Sequence, residues 1–520
     1  MGLSHVPELT ALDYGVFGLS LLIALAVGLY CGYAGRRDSQ KQLIVSEDLN
    51  IIPIVLSLIG SYISAIVLLG TPAEVYANGS QWFVTAIGAT FGSLTACVVF
   101  VPFFYRLHLS SLFEGGLKAV VWTDALQVLF MFGGVLLIVI YGTIQAGGVQ
   151  EVLVRASAHE RGEVFNFSFD IYERHTFWKL MTFMWLGWML VHGCNQPSLQ
   201  RYSCMKNEKQ AVKCVLWNIP GMVALMVLAA FAGLVIFVVY VDCDPLKAGY
   251  IEKKDQIIPY YVMDKLGHLK GLPGIFLATL FSGALSTLSS GLNSLAAVTW
   301  TDGIGLTKWH KSLSERQSIV ITKVLALGYG LLAMGMAYVV SLSGARGLIT
   351  LAITLSSITK APLVAAFFIS IYVPIINAKG MFSGMVSGLG VTAWLAFGAI
   401  AVGVPPPAPL PSSIEGCHDL NATSLHIINE TFIDTASQMS TTHSYPHLYD
   451  MSYLMYQPLG VLTTVFVALI VSVVTGGYDL DLLDDTLVNG FCLKTSRLMK
   501  RYFFGWSIKP RLHNIELKSH

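Results

Sequence analysis

The sequence has few charged residues. Asp, Glu, Lys and Arg make up 12% of its 520 residues, whereas hydrophobic residues make up 54%. A soluble domain carries about 25% charged residues, so this composition excludes that class. Ten stretches of more than 20 residues contain none of the four charged types: 14–35, 49–73, 75–105, 125–150, 180–200, 214–241, 271–301, 324–345, 380–414 and 451–478.

Each of these stretches has the length of about 20 residues that a membrane-spanning helix needs. An eleventh stretch, about 347–374, is interrupted only by Lys360. The sequence therefore predicts an all-α, polytopic membrane protein with about 11 spans that lies in a lipid bilayer.

Clusters of chemically reactive side chains are also lacking. No group of His, Cys or acidic residues has catalytic spacing, so we predict no enzyme. The eight cysteines have no metal-ligand spacing. The net charge of +1 identifies no partner, and we expect no nucleic-acid partner. For Cys243 and Cys417, both placed outside by the orientation derived next, the sequence leaves open a disulfide or two unpaired thiols.

The loop 404–455 lacks Lys and Arg altogether. Basic residues are retained on the cytoplasmic side of a membrane, so we place this loop outside. It carries two glycosylation sequons, at Asn421 and Asn429. The other basic loops and the basic tail then face the cytoplasm. The loop 242–270 is the exception: it lies outside although it contains five lysines, which stand beside five acidic residues. We predict an extracellular N-terminus (1–11), a transmembrane domain (12–477) and a cytoplasmic tail (478–520) of a plasma-membrane protein.

The second span combines Gly60 with prolines at Pro53 and Pro72. Such residues free backbone carbonyls that must find other partners in a bilayer, and a broken helix at mid-membrane often marks a binding site. The alternative is a proline kink with tight packing at Gly60, Ser61 and Ser64.

Polar residues recur along the span 271–301. Ser282, Ser286, Ser289 and Asn293 form one stripe at helical spacing, with Thr287 and Ser290 alongside, and Gly283 and Gly291 allow another helix to approach. Hydroxyl and carbonyl oxygens are the ligands of hard cations. The alternative is that each hydroxyl donates to a carbonyl one turn earlier. Six polar residues on one helix, together with a broken helix elsewhere, favour an ion site.

Several segments together resemble the sodium/solute symporter family, closest to its branch of monocarboxylate, multivitamin and iodide transporters. They are the hydroxyl-rich span, Ser61-Tyr62-Ile63-Ser64-Ala65, Leu69-Gly70-Thr71-Pro72-Ala73-Glu74-Val75-Tyr76, Gly115-Gly116-Leu117-Lys118-Ala119-Val120-Val121-Trp122-Thr123-Asp124 and Asn195-Gln196 with Gln200-Arg201-Tyr202. The resemblance runs from about Asp13 to Gly476. It implies an inverted-repeat fold of five plus five helices, and alternating access.

The resemblance also implies a site for the co-transported sodium ion. Its ligands would be the hydroxyls of Ser286 and Thr287 and the carbonyls of Gly283, Gly60 and Ile63. The family's acidic residue near the sodium exit corresponds to Asp124. Arg201 we interpret as an orientation anchor at a cytoplasmic helix end and leave out of the site.

The chain departs from the family pattern at two places. In the family, two further spans follow the segment that ends at Glu114, whereas here Gly115 follows directly, so 13 spans become 11. The second departure is Lys360, which stands where family members usually have small residues around the proline.

The resemblance implies sodium-coupled symport of a small organic anion, with a monocarboxylate as the first choice and iodide or a carboxylate vitamin (biotin or pantothenate) as alternatives. A different hypothesis is that the shortened chain transports nothing and has a regulatory role.

Overall fold

The computed structural model describes residues 8–38, 50–106, 117–307, 313–342, 348–402, 404, 409–417 and 447–476. These residues form helices and loops and contain no β-strand, as the predicted all-α class requires. Four predicted features lie outside the described residues: the sequons at Asn421 and Asn429, the Glu114–Gly115 junction, the tail 478–520 and most of the N-terminal segment.

The α-helices of the described residues are these: α1 (Ala11–Asp38), α2 (Ile51–Tyr62), α3 (Ala65–Asn78), α4 (Val84–Thr95), α5 (Val101–Arg106), α6 (Leu117–Gln145), α7 (Val149–Ala158), α8 (Phe177–Gly193), α9 (Gln196–Ser203), α10 (Glu208–Val239), α11 (Ile257–Leu266), α12 (Leu272–Val298), α13 (Glu315–Leu342), α14 (Leu348–Tyr372), α15 (Ala378–Ala401) and α16 (Tyr456–Val474). A π-helical turn at Ala96–Phe100 joins α4 to α5.

Among the described residues, nine helical segments are long and apolar enough to cross a membrane, and the bent pair α2–α3 makes a tenth. They correspond to ten of the predicted spans. The remaining expected span contains α8, which has 17 residues. A helix of this length rises about 26 Å, the short end of the range for a span.

The described residues divide into two compact units, those within 1–353 and 404–447 and those within 354–403 and 448–476. In the first unit, glycines let helices approach closely. A Cβ on Gly88 of α4 would lie 2.8 Å from the Met181 carbonyl oxygen of α8, and one on Gly134 of α6 would lie 2.7 Å from Thr279 Cβ of α12. Close packing of small residues is the usual way in which membrane helices associate.

In the second unit, α15 and α16 pack through a row of small residues. Gly380, Gly384 and Gly388 recur at every fourth position of α15, and a Cβ on any of them would collide with Ser472, Ala468 or Thr464 of α16. Ala365 and Ile369 of α14 form a buried cluster with Ala468 of α16.

On the predicted outer side, the structure decides between the alternatives for the two cysteines. Cys243 and Cys417 form a disulfide. Their loops are also joined by hydrogen bonds from the Asp244 amide to the Ser413 carbonyl and from the Gly416 amide to the Asp242 carbonyl.

The buried Arg161 links the loop 409–417 to the end of α3. Its guanidinium donates to the carbonyl oxygens of Tyr76, Leu410 and Pro411 and stacks over the Phe237 ring. Burial lowers the pKa of Arg161 to about 10, so the side chain stays charged at neutral pH.

Candidate functional site

The second predicted span is broken. α2 and α3 meet at an angle of 58°. Both prolines lie inside helices, and the break falls at Ile63 and Ser64, whose backbones are extended. The Ser64 hydroxyl accepts the Ile66 amide and so caps a new helix, and the Val67 amide bonds to the Ser64 carbonyl instead of the Ile63 carbonyl. A serine cap therefore makes the break, where the sequence analysis had invoked proline.

The hydroxyl-rich helix α12 packs against this break through two glycines. A Cβ on Gly283 would lie 3.0 Å from the Ala65 amide nitrogen, and a Cβ on Gly60 would lie 2.9 Å from Ser286 Oγ. Because neither residue has a side chain, the helices can touch at this level. The structure thus brings together the elements that carry the predicted ligands Gly60, Ile63, Gly283, Ser286 and Thr287.

Two hydroxyls at this contact have protein partners. Ser286 Oγ donates to Asp124 Oδ1 at 2.7 Å, and Thr287 Oγ1 donates to the Gly283 carbonyl at 3.1 Å. The Thr287 bond is the back-bond to the preceding turn that formed the alternative interpretation. A hydroxyl that donates its proton still has lone pairs with which to accept or to bind a cation.

The buried polar stripe of α12 differs from the predicted one. Ser282, Ser286, Ser290 and Ser294 are all buried at a spacing of four residues, whereas Ser289 is only partly buried and Asn293 is exposed. The sequence analysis had placed Ser289 and Asn293 on the inner face because spacings of three and four both suit a helix.

A carboxylate and a guanidinium lie side by side next to this stripe. Asp124 of α6 is fully buried and accepts hydrogen bonds from Ser57 Oγ at 2.7 Å and from Arg201 Nη2 at 2.9 Å. Arg201 of α9 also donates to the hydroxyls of Ser57, Ser61 and Ser290, at 2.9, 2.6 and 2.9 Å. The network connects α2, α6, α9 and α12.

The sequence analysis missed Arg201. We interpreted it as an orientation anchor, but it is 99% buried and takes part in the network. One signal in the sequence could have identified it: Asp124, if buried in a span, requires a cationic partner, because an isolated charge is very costly there.

A second buried carboxylate lies at the far end of α3. Glu74 has no exposed surface and binds Arg174 Nε at 2.7 Å, Lys254 Nζ at 2.7 Å and His175 Nε2 at 3.2 Å. Arg174 donates in turn to Thr350 Oγ1 at 3.0 Å. Glu74 therefore holds α3, the second half of the broken helix, to the loop before α8, to the loop before α11 and, through Arg174, to α14.

A profile of the family described as Sodium:solute symporter family matches residues 43–112 and 111–388. The chain belongs to the sodium/solute symporter family. Members of this family couple solute transport to sodium, so this chain is a sodium-coupled transporter of a solute and not an enzyme.

Curated relatives cover most of the chain at similar identities. Sodium-coupled monocarboxylate transporter 1 of Xenopus laevis is 32% identical over 91% of this chain and 87% of its own length. The sodium/iodide cotransporter of Homo sapiens is 32% identical over 90% and 84%, and the sodium-dependent multivitamin transporter of Oryctolagus cuniculus is 33% identical over 89% and 82%.

A solved structure matches the fold. It is the substrate-bound outward-open state of a Na+-coupled sialic acid symporter, with a TM-score of 0.66 over 90% of this chain and 98% of that chain at 17% identity. The predicted fold class of a symporter is thereby confirmed.

The family match is in two parts. The two segments that match the sodium/solute symporter profile meet at residues 111–112, next to the Glu114–Gly115 junction. The alignment with the Xenopus relative extends over 554 positions although this chain has 520 residues, so it contains gaps opposite this chain. The two matched segments thus join next to the point at which the sequence analysis predicts the loss of two spans.

Proposed function

We propose that this chain carries a small organic anion, in the first instance a monocarboxylate, together with sodium across the plasma membrane by alternating access. The observation that supports this proposal most directly is the contact between the break at Ile63–Ser64 and the Gly283 to Thr287 turn of α12. In this proposal the 404–455 loop faces outside, and the tail 478–520 faces the cytoplasm.

The sodium ion would bind where the two helices touch. Its ligands are the hydroxyl oxygens of Ser286 and Thr287 and the carbonyl oxygens of Gly60, Ile63 and Gly283. All are neutral oxygen donors, which suit a hard monovalent cation. Asp124, which is paired with Arg201, accepts a hydrogen bond from Ser286 at 2.7 Å and so lies next to a ligand of the ion, on the ion's route to the cytoplasm.

Electrostatics explains why an anion needs this coupling. A negative membrane potential opposes the entry of a monoanion by about 2.3 kcal/mol per 100 mV. One sodium ion per anion cancels this electrical cost and leaves the sodium gradient to concentrate the solute.

Iodide and carboxylate vitamins are the alternative substrates. The monocarboxylate, iodide and multivitamin relatives are 32%, 32% and 33% identical to this chain, so overall identity does not rank the three. All are anions, and the coupling argument applies to each.

The second candidate function is that of a transport-inactive, regulatory form. It is favoured by the two-part family match that meets at residues 111–112, because two helices of the first repeat are then absent. An inverted repeat forms its substrate path from both halves, so the loss of two helices removes part of its wall.

Uptake measurements in cells test both candidates. The 520-residue chain would be compared with a form in which two spans of a full-length relative are inserted between Glu114 and Gly115. Radiolabelled pyruvate, iodide and biotin would be supplied in sodium buffer and in choline buffer. The first candidate predicts sodium-dependent pyruvate uptake by the 520-residue form. The second predicts uptake near background by this form and clear sodium-dependent uptake only by the extended form.

Robust uptake by the 520-residue form alone would mean that the two helices are dispensable and would exclude the inactive form. Sodium-dependent uptake of iodide or biotin instead of pyruvate would select the alternative substrate. Uptake of none of the three by a correctly inserted extended form would overturn the proposed transport function.

A further inference from the structure

Lys360 lies at the midpoint of α14, a helix of 25 residues. At a rise of 1.5 Å per residue, each end of the helix is about 18 Å away, which exceeds the reach of a lysine side chain. The ammonium group therefore cannot extend to the membrane surface, as lysines near helix ends do. Its charge is held within the membrane.

The position of Lys360 around the helix sets it apart from its neighbours. Leu355 and Leu363 belong to the exposed side of α14, whereas Ala361, Ala365 and Ile369 are fully buried, the last two against α16. At 100° per residue, Lys360 falls on neither of these two sides, and it is partly buried. It therefore points neither directly at lipid nor into the contact with α16.

Within the part of the chain that the structure describes, Lys360 has no ion pair and no hydrogen bond. Two buried carboxylates behave differently: Asp124 is paired with Arg201, and Glu74 is paired with Arg174 and Lys254. A charged side chain in a span is costly, and such residues usually pair or mark the route of a substrate.

The backbone next to Lys360 is also polar. Pro362 has no amide hydrogen, so the Ile358 carbonyl one turn earlier lacks its helical donor. Thr392 Oγ1 of α15 lies 3.5 Å from it, but this hydroxyl bonds more closely to the Gly388 carbonyl, at 2.8 Å. Ser356 and Ser357 precede Lys360 by one turn, and Ser357 is fully buried. A lysine thus lies one helical turn from two serines near the middle of α14.

We propose that Lys360 binds the negatively charged group of the transported monoanion. The ammonium has three donors and no acceptor, so it suits a carboxylate or another small anion. This inference rests on the proposed function, because it assigns the partner of Lys360 to the solute that is carried. The Lys360 ammonium and the bound monoanion together carry no net charge. A solute of the same shape without the negative charge does not bind.

Binding to the purified chain tests this directly, without relying on transport. Radiolabelled pyruvate at saturating sodium is the probe, and it is measured on both the 520-residue and the extended forms. Lys360→Met keeps the length of the side chain and removes the charge, whereas Lys360→Arg keeps the charge. Lys379→Met, at an exposed position in the first turn of α15, is the matched control.

We expect Lys360→Met to weaken pyruvate binding about tenfold or more, which is the loss of one charge-assisted hydrogen bond. Lys360→Arg should stay within about threefold of the wild type, and Lys379→Met should leave binding unchanged. Equal binding by a folded Lys360→Met variant overturns the role of Lys360 and leaves the proposed function standing.

A competition on the unchanged protein covers the case in which the variant does not fold. Propionate should displace pyruvate, whereas propionamide, its uncharged counterpart, should not. Equal displacement by both compounds overturns the inference. If neither form of the wild-type protein binds any of the anions in sodium, the proposed function fails together with it.

Discussion

The guanidinium Nη2 of Arg201 lies 2.9 Å from Oδ2 of Asp124, and the two side chains expose 1% and none of their surface. Asp124 bonds on its other oxygen to Ser286, a proposed sodium ligand. Arg201 is therefore connected to the candidate site through a single residue, Asp124. A change at either member of the pair should alter both folding and sodium binding.

Removing one member of this pair should destabilise the protein strongly. Asp124→Asn or Arg201→Met leaves the other charge buried and uncompensated, at a cost of about 3–5 kcal/mol. The double variant should be less damaging than the sum of the two. Thermal unfolding of the purified protein measures this coupling. Arg155→Met is the control, because its pair with Glu151 is about half exposed and should contribute less than about 1 kcal/mol.

The proposed sodium site predicts that Ser286→Ala and Thr287→Ala each raise the sodium concentration for half-maximal uptake, by the order of tenfold for the loss of one ligand. The measurement uses the form with two inserted spans. Ser289→Ala is the matched control, since its hydroxyl bonds to the Ser286 carbonyl and lies outside the proposed ligand set. Sodium activation unchanged in both variants would rule out these ligands.

The close packing at the break predicts that adding a methyl group at Gly60 or Gly283 destabilises the protein. A Cβ on Gly60 would lie 2.8 Å from Val128 Cγ2, and one on Gly283 would lie 3.0 Å from the Ala65 amide nitrogen. Gly60→Ala and Gly283→Ala should each cost about 1–3 kcal/mol of stability. Gly291→Ala has nothing within 4 Å and should be neutral or stabilising. Equal melting temperatures for all three variants would contradict the close contact.

The burial of His175 predicts a dependence of stability on pH. Burial lowers the pKa of His175 below its ordinary value of 6.5, although Glu74 beside it acts in the opposite direction, while Arg174 and Lys254 add to the lowering. The unfolded chain therefore takes up a proton near pH 6.5 that the folded chain does not. The contribution of His175 to the free energy of unfolding is therefore present above this pH and is lost as the pH falls. The free energy of unfolding then changes by up to about 1.4 kcal/mol per pH unit.

Melting temperatures between pH 8 and pH 5 (about the range in which histidine titrates) measure this effect. His175→Gln should flatten the profile relative to the wild type. His268→Gln, which changes a more exposed histidine, should keep it. A variant profile as steep as that of the wild type would assign the dependence to other groups.

The proposed orientation predicts glycans on Asn421 and Asn429. A glycosidase should increase the gel mobility of the protein from cells, and Asn421→Gln with Asn429→Gln should abolish that shift. Because immature glycans are added in the endoplasmic reticulum, retention there would not hide them. Unchanged mobility in the wild type would place the 404–455 loop on the cytoplasmic side.

The sequence predicts the helices of this fold well because each span must be long and uncharged. It also identifies α2–α3 and α12 as the helices of the site, since glycine and hydroxyl residues are conspicuous in a membrane. The exact position of the break was less accessible, because it depends on the capping of Ile66 by Ser64, and serine also occurs inside membrane helices.

Contacts between residues that are far apart in the chain could not be predicted from a single sequence. Arg201 and Asp124 are 77 residues apart, and their contact depends on how α6 and α9 pack. The same holds for Ser290, which faces the network, and Asn293, which is exposed, although both lie on one helix at spacings that a helix permits.

The Cys243–Cys417 disulfide closes a covalent ring over a sequence separation of 174 residues. α11 to α15 all lie inside that ring in the sequence. A protease that cuts the chain once between these cysteines would therefore not release a fragment. The cut protein should migrate as one band on a non-reducing gel and as two bands after reduction, and a purified sample could carry such a cut unnoticed.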